Sequence, residues 1–213
     1  MKKRHAVHKY DSYNMEIEVL VPSGAKVLDI GCNTGRLAKA LKKRGCVVTG
    51  VDVSKNLLNL AKKYCHKTVC ADAENLAALN KGLGGQHFDV IILGDVVEHL
   101  RSPKIFLINI KRFLKPTGKI IASIPNSAFI WIRFKFLVGN FHYSPAGGLM
   151  DEDHLRFFSF GSVKDLFREA GYQISSIKPS NHGIVKRKYF LIKFLGRIIP
   201  TMFAIHILVI AQK

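Results

Sequence analysis

The 213-residue sequence has few acidic residues and no closely paired cysteines. It has 15 Asp and Glu against 33 Lys and Arg, a net charge of +18. That charge attracts the phosphates of nucleic acid, anionic lipid or a phosphorylated substrate. The four cysteines include no CxxC pair, which argues against a common zinc site or a disulfide framework. No apolar segment follows the basic N-terminus, so we expect no secretory signal and a cytoplasmic protein.

The sequence also lacks an uninterrupted apolar run of membrane-spanning length. Phe190–Ile210 is long enough, but two cations, a proline and a histidine interrupt it, and lipid penalises each charge. The overlapping segment Val185–Ile199 has the spacing of an amphipathic helix with cations on one face and apolar residues on the other. With the aromatic-rich segment Phe129–Val138, it predicts peripheral contact with a membrane. Packing of the two segments on each other as ordinary core is the alternative.

Apolar residues make up 48% of the chain, which excludes a disordered protein and fits one packed domain. Strand-length apolar runs alternate with helical patterns, which predicts an α/β fold with a doubly wound parallel sheet. We expect strands at Lys26–Ile30, Cys46–Val51, Lys67–Cys70, Phe88–Leu93 and Gly118–Ile124, and helices at Arg36–Lys43, Leu57–Tyr64, Glu74–Leu79 and Pro103–Phe113. The last third adds a helix at Ser162–Ala170 and strands at Tyr172–Ile177 and Ala204–Ala211.

The stretch VLDIGCNTG places a glycine-rich turn between the first strand and the first of these helices. Glycines let the backbone approach a ligand closely, and the helix N-terminus offers unpaired N–H groups, as in nucleotide-cofactor sites. The G-x-G-x-x-G pattern of dinucleotide-binding proteins is absent, because Gly31 and Gly35 enclose Cys-Asn-Thr. Asn33 tolerates left-handed dihedrals better than most residues. Asp29 supplies an acceptor that suits a cationic amino group.

Two further acids follow the next two strands. Asp52 lies in VDVS, about twenty residues beyond the glycine turn, where a carboxylate can accept from both ribose hydroxyls. Asp72, in CADAEN, can accept from an adenine amino group. Since parallel strands end at one edge of the sheet, Asp29, Asp52 and Asp72 are expected to converge on one crevice. The alternative is that each acid caps a helix.

Five motifs in order resemble those of the class I S-adenosylmethionine-dependent methyltransferases. VLDIGCNTG is similar to the family's first motif, VDVS to its second and ADAENL to its third; FDVIILGDVVEHL and FLKPTGKIIASIPN resemble the fourth and fifth. The match is good over about Pro22–Leu114 and looser beyond it. The resemblance implies a Rossmann-like sheet of seven strands, mostly parallel with an antiparallel last strand. It also implies S-adenosylmethionine as the cofactor.

Carried over by position, the resemblance assigns these residues to the parts of the cofactor. The glycine turn would hold the methionine end, Asp52 the ribose and Asp72 the adenine, while Gly94 and Asp95 would line the sulfonium. Asn33 departs from the commoner glycine. The expected cofactor site is Asp29, Gly31, Cys32, Asn33, Gly35, Asp52, Val53, Asp72, Ala73, Gly94 and Asp95.

We expect a single methyltransferase domain over residues 1–213. Residues 1–21 form an N-terminal arm or helix, residues 22–125 the cofactor-binding half and residues 126–213 the substrate-covering half. In this family, inserts after the fifth and sixth strands cover the substrate. Inserts at 127–150 and 180–202 are therefore expected to overhang the crevice.

Transfer of a methyl group to a hydroxyl requires a base that removes the proton. The candidates near the crevice are Asp95, Glu98, His99 and His154, of which we expect His154 and His99 to be catalytic. The pairing of GDVVEHL with DHLRFFS resembles the O-methyltransferases of quinone, polyketide and sugar pathways. That resemblance implies a small or lipid-like acceptor, and we expect no metal.

Two alternatives stay open. The same residues resemble the small-RNA 3′-end 2′-O-methyltransferases, in which an E-x-x-E-H run and a distant histidine bind a divalent ion. An RNA acceptor with a metal site formed by Asp95, Glu98, His99 and His154 is therefore the first alternative. The second is a module that binds the cofactor without turnover.

Overall fold

The computed structural model describes residues 13–144, 148–180, 194–195 and 197–213. One seven-stranded sheet forms the centre of the fold, with strand order β3-β2-β1-β4-β5-β7-β6. Strand β7 runs antiparallel to both of its neighbours, and the other pairs are parallel, which confirms the predicted fold class. The strands are β1 (Lys26–Ile30), β2 (Val47–Asp52), β3 (Lys67–Cys70), β4 (Phe88–Gly94), β5 (Leu114–Pro125), β6 (Gln173–Ser180) and β7 (His206–Gln212).

Helices cover both faces of this sheet. They are α1 (Met15–Leu20), α2 (Arg36–Lys43), α3 (Lys55–Ala61), α4 (Leu76–Leu83), α5 (Pro103–Ile110), α6 (Ile130–Leu137), α7 (Phe160–Glu169) and α8 (Pro200–Phe203), with 3-10 turns at Val97–His99 and Lys111–Phe113. Alternate residues of each strand enter opposite cores. Leu28 and Ile91 pack with α4, α5 and α7, whereas Val27 and Val90 pack with α1, α2 and α3. Burial on both faces explains why these strands are almost wholly apolar.

Capping residues account for the two helices whose predicted starts were wrong. The helix predicted at Glu74–Leu79 instead begins after Asn75, whose side chain accepts from the Ala78 N–H. It ends at Gly84, which adopts the left-handed conformation of a helix C-terminus. The helix predicted at Leu57–Tyr64, in contrast, begins earlier than predicted, after Ser54, and ends at Ala61. Strand β5 begins at Leu114, four residues before the predicted Gly118.

The two predicted inserts are described to different extents. Within 127–150, the structure shows the two-turn helix α6. Most of the amphipathic helix predicted at Val185–Ile199, and most of the insert at 180–202, lies outside the described residues. None of the helices in the described ranges is both long enough and apolar enough to cross a bilayer.

Candidate active site

A cavity of about 1460 Å³ opens at the carboxyl ends of β1 to β4, where the strand order reverses between β1 and β4. Open α/β sheets bind their ligands at this point. The structure brings both predicted catalytic histidines and every predicted cofactor residue except Gly35 to this cavity. Its wall includes Asp29, Gly31, Cys32, Asn33, Asp52, Val53, Asp72, Ala73, Gly94, Asp95, His99 and His154.

The glycine turn after β1 can be formed only by residues that accept left-handed dihedrals. Gly31 has φ 74°, and a Cβ there would lie 2.7 Å from Val96 Cγ2. Gly35 has φ 76° and precedes α2, and a Cβ there would lie 2.9 Å from the Ala61 Cα. Gly35 therefore allows α2 and α3 to pack closely, although it does not line the cavity. Asn33 has φ 50°, in the left-handed region that its residue type tolerates.

The Asp52 carboxylate holds this turn against the start of α3. Its Oδ2 accepts from the Asn33 N–H at 3.0 Å, and its Oδ1 accepts from the Ser54 N–H at 2.9 Å. Each carboxylate oxygen retains acceptor capacity, so the same group can also accept from ligand hydroxyls. The Asn33 Oδ1 is buried and has no hydrogen-bond partner among the described residues.

Asp29 lies at the end of β1 with its side chain buried at the cavity wall. Burial raises the pKa of its carboxyl to about 7, and the nearby Asp52 carboxylate contributes to the increase. A ligand cation placed here would favour the ionised form. The chemistry of this position therefore matches an amino group, as the sequence predicts.

Asp72 has a local structural role as well as a place at the cavity. Its Oδ1 accepts from the Glu74 N–H at 2.9 Å, which shapes the turn before α4. The Glu74 carboxylate accepts from the Arg101 and Ser102 N–H groups, at 3.1 and 2.8 Å. These bonds join the loop after β3 to the segment after His99. Asn75 rather than Asp72 caps α4, so the capping alternative does not hold for Asp72, which lines the cavity.

The other end of the cavity contains a buried carboxyl group. Glu98, in the 3-10 turn after β4, is 1% exposed, and neither of its carboxylate oxygens has a hydrogen-bond partner among the described residues. Burial raises the pKa of Glu98 well above its usual range, and Asp95 and Asp151 raise it further. The Glu98 backbone carbonyl accepts from the Leu155 and Arg156 N–H groups, at 2.9 and 3.0 Å.

These backbone bonds bring His154 beside Glu98 and His99. The His154 Nε2 lies 3.9 Å from the Glu98 Oε1, and the two imidazole rings meet edge to face at 4.8 Å between centroids. The His99 Nδ1 is 2.9 Å from the Asp153 carbonyl, which can only accept, so Nδ1 carries a proton. Burial lowers the pKa of His154, and the neighbouring His99 lowers it further. The His154 ring can therefore offer an unprotonated nitrogen.

A third histidine at the cavity was not predicted as a site residue. His206, the first residue of β7, has its Nε2 3.6 Å from the Asp95 Oδ1, and its Nδ1 is buried without a partner among the described residues. Asp95 has φ 53° and also accepts from the Ser123 hydroxyl at 3.3 Å. In the sequence His206 is only an interruption of an apolar run. Its place becomes apparent once β7 is known to begin at this edge of the sheet.

Comparison with known proteins places this site in a family. A sequence profile described as a methyltransferase domain matches residues 7–177, which is most of the chain. The chain belongs to the class I S-adenosylmethionine-dependent methyltransferases. A methyltransferase structure from Archaeoglobus fulgidus has a TM-score of 0.66 at 18% identity, covering 93% of this chain and 91% of its own. Magnesium protoporphyrin IX methyltransferase from Synechocystis, with bound S-adenosylhomocysteine, has a TM-score of 0.62 at 16% identity, covering 93% and 79%.

Curated relatives give a more specific comparison. The ubiquinone biosynthesis O-methyltransferase of Coxiella burnetii is 32% identical over 132 residues, covering 61% of this chain and 55% of its own. That of Cereibacter sphaeroides is 34% identical over 154 residues, covering 70% and 60%. The chain thus spans little more than half the length of these relatives. The identity falls in a range that supports the family but leaves the acceptor open.

S-adenosylmethionine is the cofactor of this methyltransferase, and the residues at the cavity match its chemistry. Its amino group would supply the cation expected at Asp29, and its ribose hydroxyls would supply the donors expected at Asp52. The buried Asn33 Oδ1 is a further acceptor at the glycine turn. The close approach at Gly31 leaves no room for a side chain beside the turn. The individual contacts of the cofactor stay predictions.

Replacing Asp52 tests the ribose contact. Asp52→Ala removes the expected hydrogen bonds from the ribose hydroxyls, each worth about 1.5–3 kcal/mol, as well as those that brace the glycine turn. We expect calorimetric titration to show at least tenfold weaker binding of S-adenosylhomocysteine. Asp165→Ala, on α7, is the matched control and should bind normally. Unchanged affinity in a folded Asp52→Ala protein would place the cofactor elsewhere.

The raised pKa of Asp29 predicts a pH dependence of cofactor binding. Below pH 7 the free carboxyl is mostly protonated and cannot attract the ligand's ammonium group. Affinity for S-adenosylhomocysteine should therefore rise by up to tenfold per pH unit toward about 7 and level off above it. Calorimetry across this range measures the slope. Asp29→Asn should bind weakly at every pH and show no such slope; a wild-type affinity independent of pH would contradict the assignment.

Proposed function

We propose that this protein transfers a methyl group from S-adenosylmethionine to a hydroxyl of a small or lipid-like acceptor, such as a catechol or hydroquinone. The ubiquinone biosynthesis O-methyltransferases among its relatives support this acceptor class. The observation that carries the proposal is the His154 imidazole, whose side chain is 6% exposed at the far end of the cofactor cavity. A base in that position is useful to a hydroxyl acceptor, whose proton must be removed. An amine acceptor needs it less, because a neutral amine is already nucleophilic.

The cavity also has room for an acceptor beside the cofactor. Its volume of about 1460 Å³ exceeds the roughly 300–1,000 Å³ of typical small-molecule sites. The acidic cofactor end and the histidine end are formed by different loops. A ring-sized acceptor between them would reach both.

When bound, the cofactor supplies a methyl group on a positively charged sulfur. The chain's own task is to orient the acceptor and to receive its proton. The His154 Nδ1 faces the Leu149 carbonyl at 3.4 Å, which favours a proton on Nδ1 and leaves Nε2 as the base. Since burial lowers its pKa, His154 is neutral at physiological pH and can take the proton of the acceptor hydroxyl at Nε2.

Replacing His154 tests this assignment. His154→Ala should reduce methyl transfer to a prenylated catechol by about 10²–10⁴-fold and leave the affinity for S-adenosylhomocysteine within about twofold of wild type. Labelled S-adenosylmethionine with product analysis gives the rate. His87→Ala, an exposed histidine before β4, is the matched control and should retain full activity.

An aniline and an RNA oligonucleotide belong in the same assay as competing acceptors. Transfer to the aniline alone would contradict O-methylation, and transfer to the RNA 3′ end would support the alternative acceptor. Cofactor binding without transfer to any of these acceptors would indicate a module without turnover. Full activity in His154→Ala would remove His154 as the base.

A second candidate role, a divalent cation site, rests on the buried Glu98 carboxyl group. One ligand atom each of Glu98, His99 and His154 lies within 4.8 Å of the others. Asp95, included in the site considered from the sequence, is outside this group. One carboxylate and two imidazoles suit Mn²⁺, Fe²⁺ or Zn²⁺ better than Ca²⁺. Such an ion would neutralise Glu98 and attract an acceptor oxygen.

Metal addition distinguishes the two roles. If the cation site exists, Mn²⁺ or Zn²⁺ should raise the melting temperature of the EDTA-treated protein by a few degrees. Glu98→Gln should abolish that increase, whereas His87→Ala should retain it. Differential scanning fluorimetry is the measurement, and it needs no activity. An unchanged melting temperature, with transfer insensitive to EDTA, would leave His154 as a base in a metal-free site.

A further inference from the structure

Helix α6 and the turn after it present an apolar surface in the described part of the chain. Seven of its residues are exposed, and we call them the α6 patch: Trp131, Phe134, Phe136, Leu137, Val138, Phe141 and Tyr143. Leu137 is 83% exposed and Trp131 59%. Ring centroids are 5.7 Å apart for Trp131 and Phe134, and 4.6 Å apart for Phe136 and Phe141. Single exposed apolar residues are ordinary, but a contiguous group marks an interaction surface.

The helix has already buried its inner side. Ile132 packs with Phe129 and Met150 in a small separate core. Since successive helical residues turn by about 100°, Trp131, Phe134 and Val138 point away from Ile132. Trp131, Phe134, Leu137 and Val138 thus form a second apolar face of α6, whereas Phe136 lies on the same side as Ile132 and meets Phe141.

Two cations border this outer face. Arg133 and Lys135 are exposed and lie on opposite edges of α6, between the patch and the buried side. Residues 127–150 contain no Asp or Glu. An apolar face bordered by long cationic side chains is the arrangement of a helix that lies in a lipid headgroup layer.

A second exposed apolar group precedes Ile205, which packs against the small core under α6. Ile198 and Ile199 are exposed just before α8, as is Arg197. The Asn126 amide, at the start of the segment that leads to α6, donates to the Ala204 carbonyl at 2.8 Å. Residues 181–205 contain five Lys and Arg and no Asp or Glu. Both groups thus combine apolar residues with positive charge alone.

We propose that the α6 patch docks on the surface of an anionic phospholipid bilayer, with its apolar side chains among the headgroups and Arg133 and Lys135 on the phosphates. Charge favours this occupant over a second copy of the chain. A two-fold dimer through the patch would bring the same cations together, with no acid in 127–150 to pair with them. Single-stranded RNA binds through bases that stack on aromatic rings, and aliphatic side chains such as Leu137 take no part in that stacking. The patch therefore suits a bilayer better than RNA.

Docking would place the cavity near the bilayer. Leu149 packs against the α6 core and also lines the cavity, so the patch and the cavity share a wall. The sequence predicts that the 127–150 insert overhangs the crevice; the structure instead places Leu149 at the cavity and α6 outside it. Delivery of a lipid-like acceptor from the bilayer rests on the proposed function, whereas docking itself does not.

The only tryptophan of the chain lies in the α6 patch and reports on docking directly. The full chain is mixed with vesicles of phosphatidylglycerol and phosphatidylcholine, or of phosphatidylcholine alone, at low and high salt. We expect co-sedimentation with the anionic vesicles at low salt, a blue shift of Trp131 emission, and quenching by lipids brominated near the headgroup. Binding should fall at high salt because the attraction is screened.

Matched variants separate the apolar and charged contributions. Phe134→Ser/Leu137→Ser/Val138→Ser keeps the reporter and should weaken vesicle binding at least tenfold; Val19→Ser/Leu60→Ser changes exposed apolar residues on α1 and α3 and should not. Arg133→Glu/Lys135→Glu should also weaken binding at least tenfold, in contrast to Lys42→Glu/Lys43→Glu on α2. Circular dichroism confirms that each variant is folded.

Three results would overturn the proposal: no co-sedimentation, co-sedimentation without a change in Trp131 emission, or a concentration-dependent dimer that buries Trp131. Methyl transfer to a water-soluble catechol separates docking from the proposed function. Docking variants that lose vesicle binding but keep this transfer support both proposals. Vesicle binding in a protein without any transfer leaves docking intact and removes the proposed function.

Discussion

The shape of the site depends on the Asp52 carboxylate, which accepts one N–H from the glycine turn after β1 and one from the residue before α3. Without it, the left-handed Asn33 would lose the bond that holds its peptide in the turn. Because Gly31 and Gly35 have no side chains, Val96 and Ala61 can pack closely against the glycine turn. The turn is therefore held tightly by its neighbours. The wall facing the cofactor is therefore organised before any ligand binds, and binding does not have to order it.

The cofactor half of the site could be predicted from the sequence because its information is local. A parallel sheet brings the carboxyl ends of its strands to one edge, so Asp29, Asp52 and Asp72 had to lie near each other once the strands were recognised. Helix bounds were less accurate because apolar spacing does not show where a cap lies. Asn75 and Ser54 set the starts of α4 and α3 through side-chain bonds that the hydrophobic pattern does not contain.

The acceptor half depends on contacts between distant segments. His154 reaches Glu98 only because two backbone N–H groups, 57 and 58 residues along the chain, bind the Glu98 carbonyl. His206 reaches Asp95 because β7 runs antiparallel between β5 and β6, which places its first residue at the carboxyl edge. Neither contact leaves a local pattern. His154 was a candidate because it lies in a loop with neighbouring acids, whereas nothing local identified His206.

Two buried carboxyl groups at opposite ends of the cavity have raised pKa values, and in both cases burial is the main cause. A buried carboxyl without a partner destabilises the fold, and a chain selected for stability alone would pair it or replace it. At Asp29 the expected partner is the amino group of the cofactor, and its binding would relieve the cost. At Glu98 the same reasoning calls for a proton or a cation. The ligand atoms of Glu98, His99 and His154 lie within 4.8 Å of one another, so either occupant would be next to an imidazole nitrogen. The part of the site that burial destabilises is therefore also the part to which we assign the proposed transfer to a hydroxyl group.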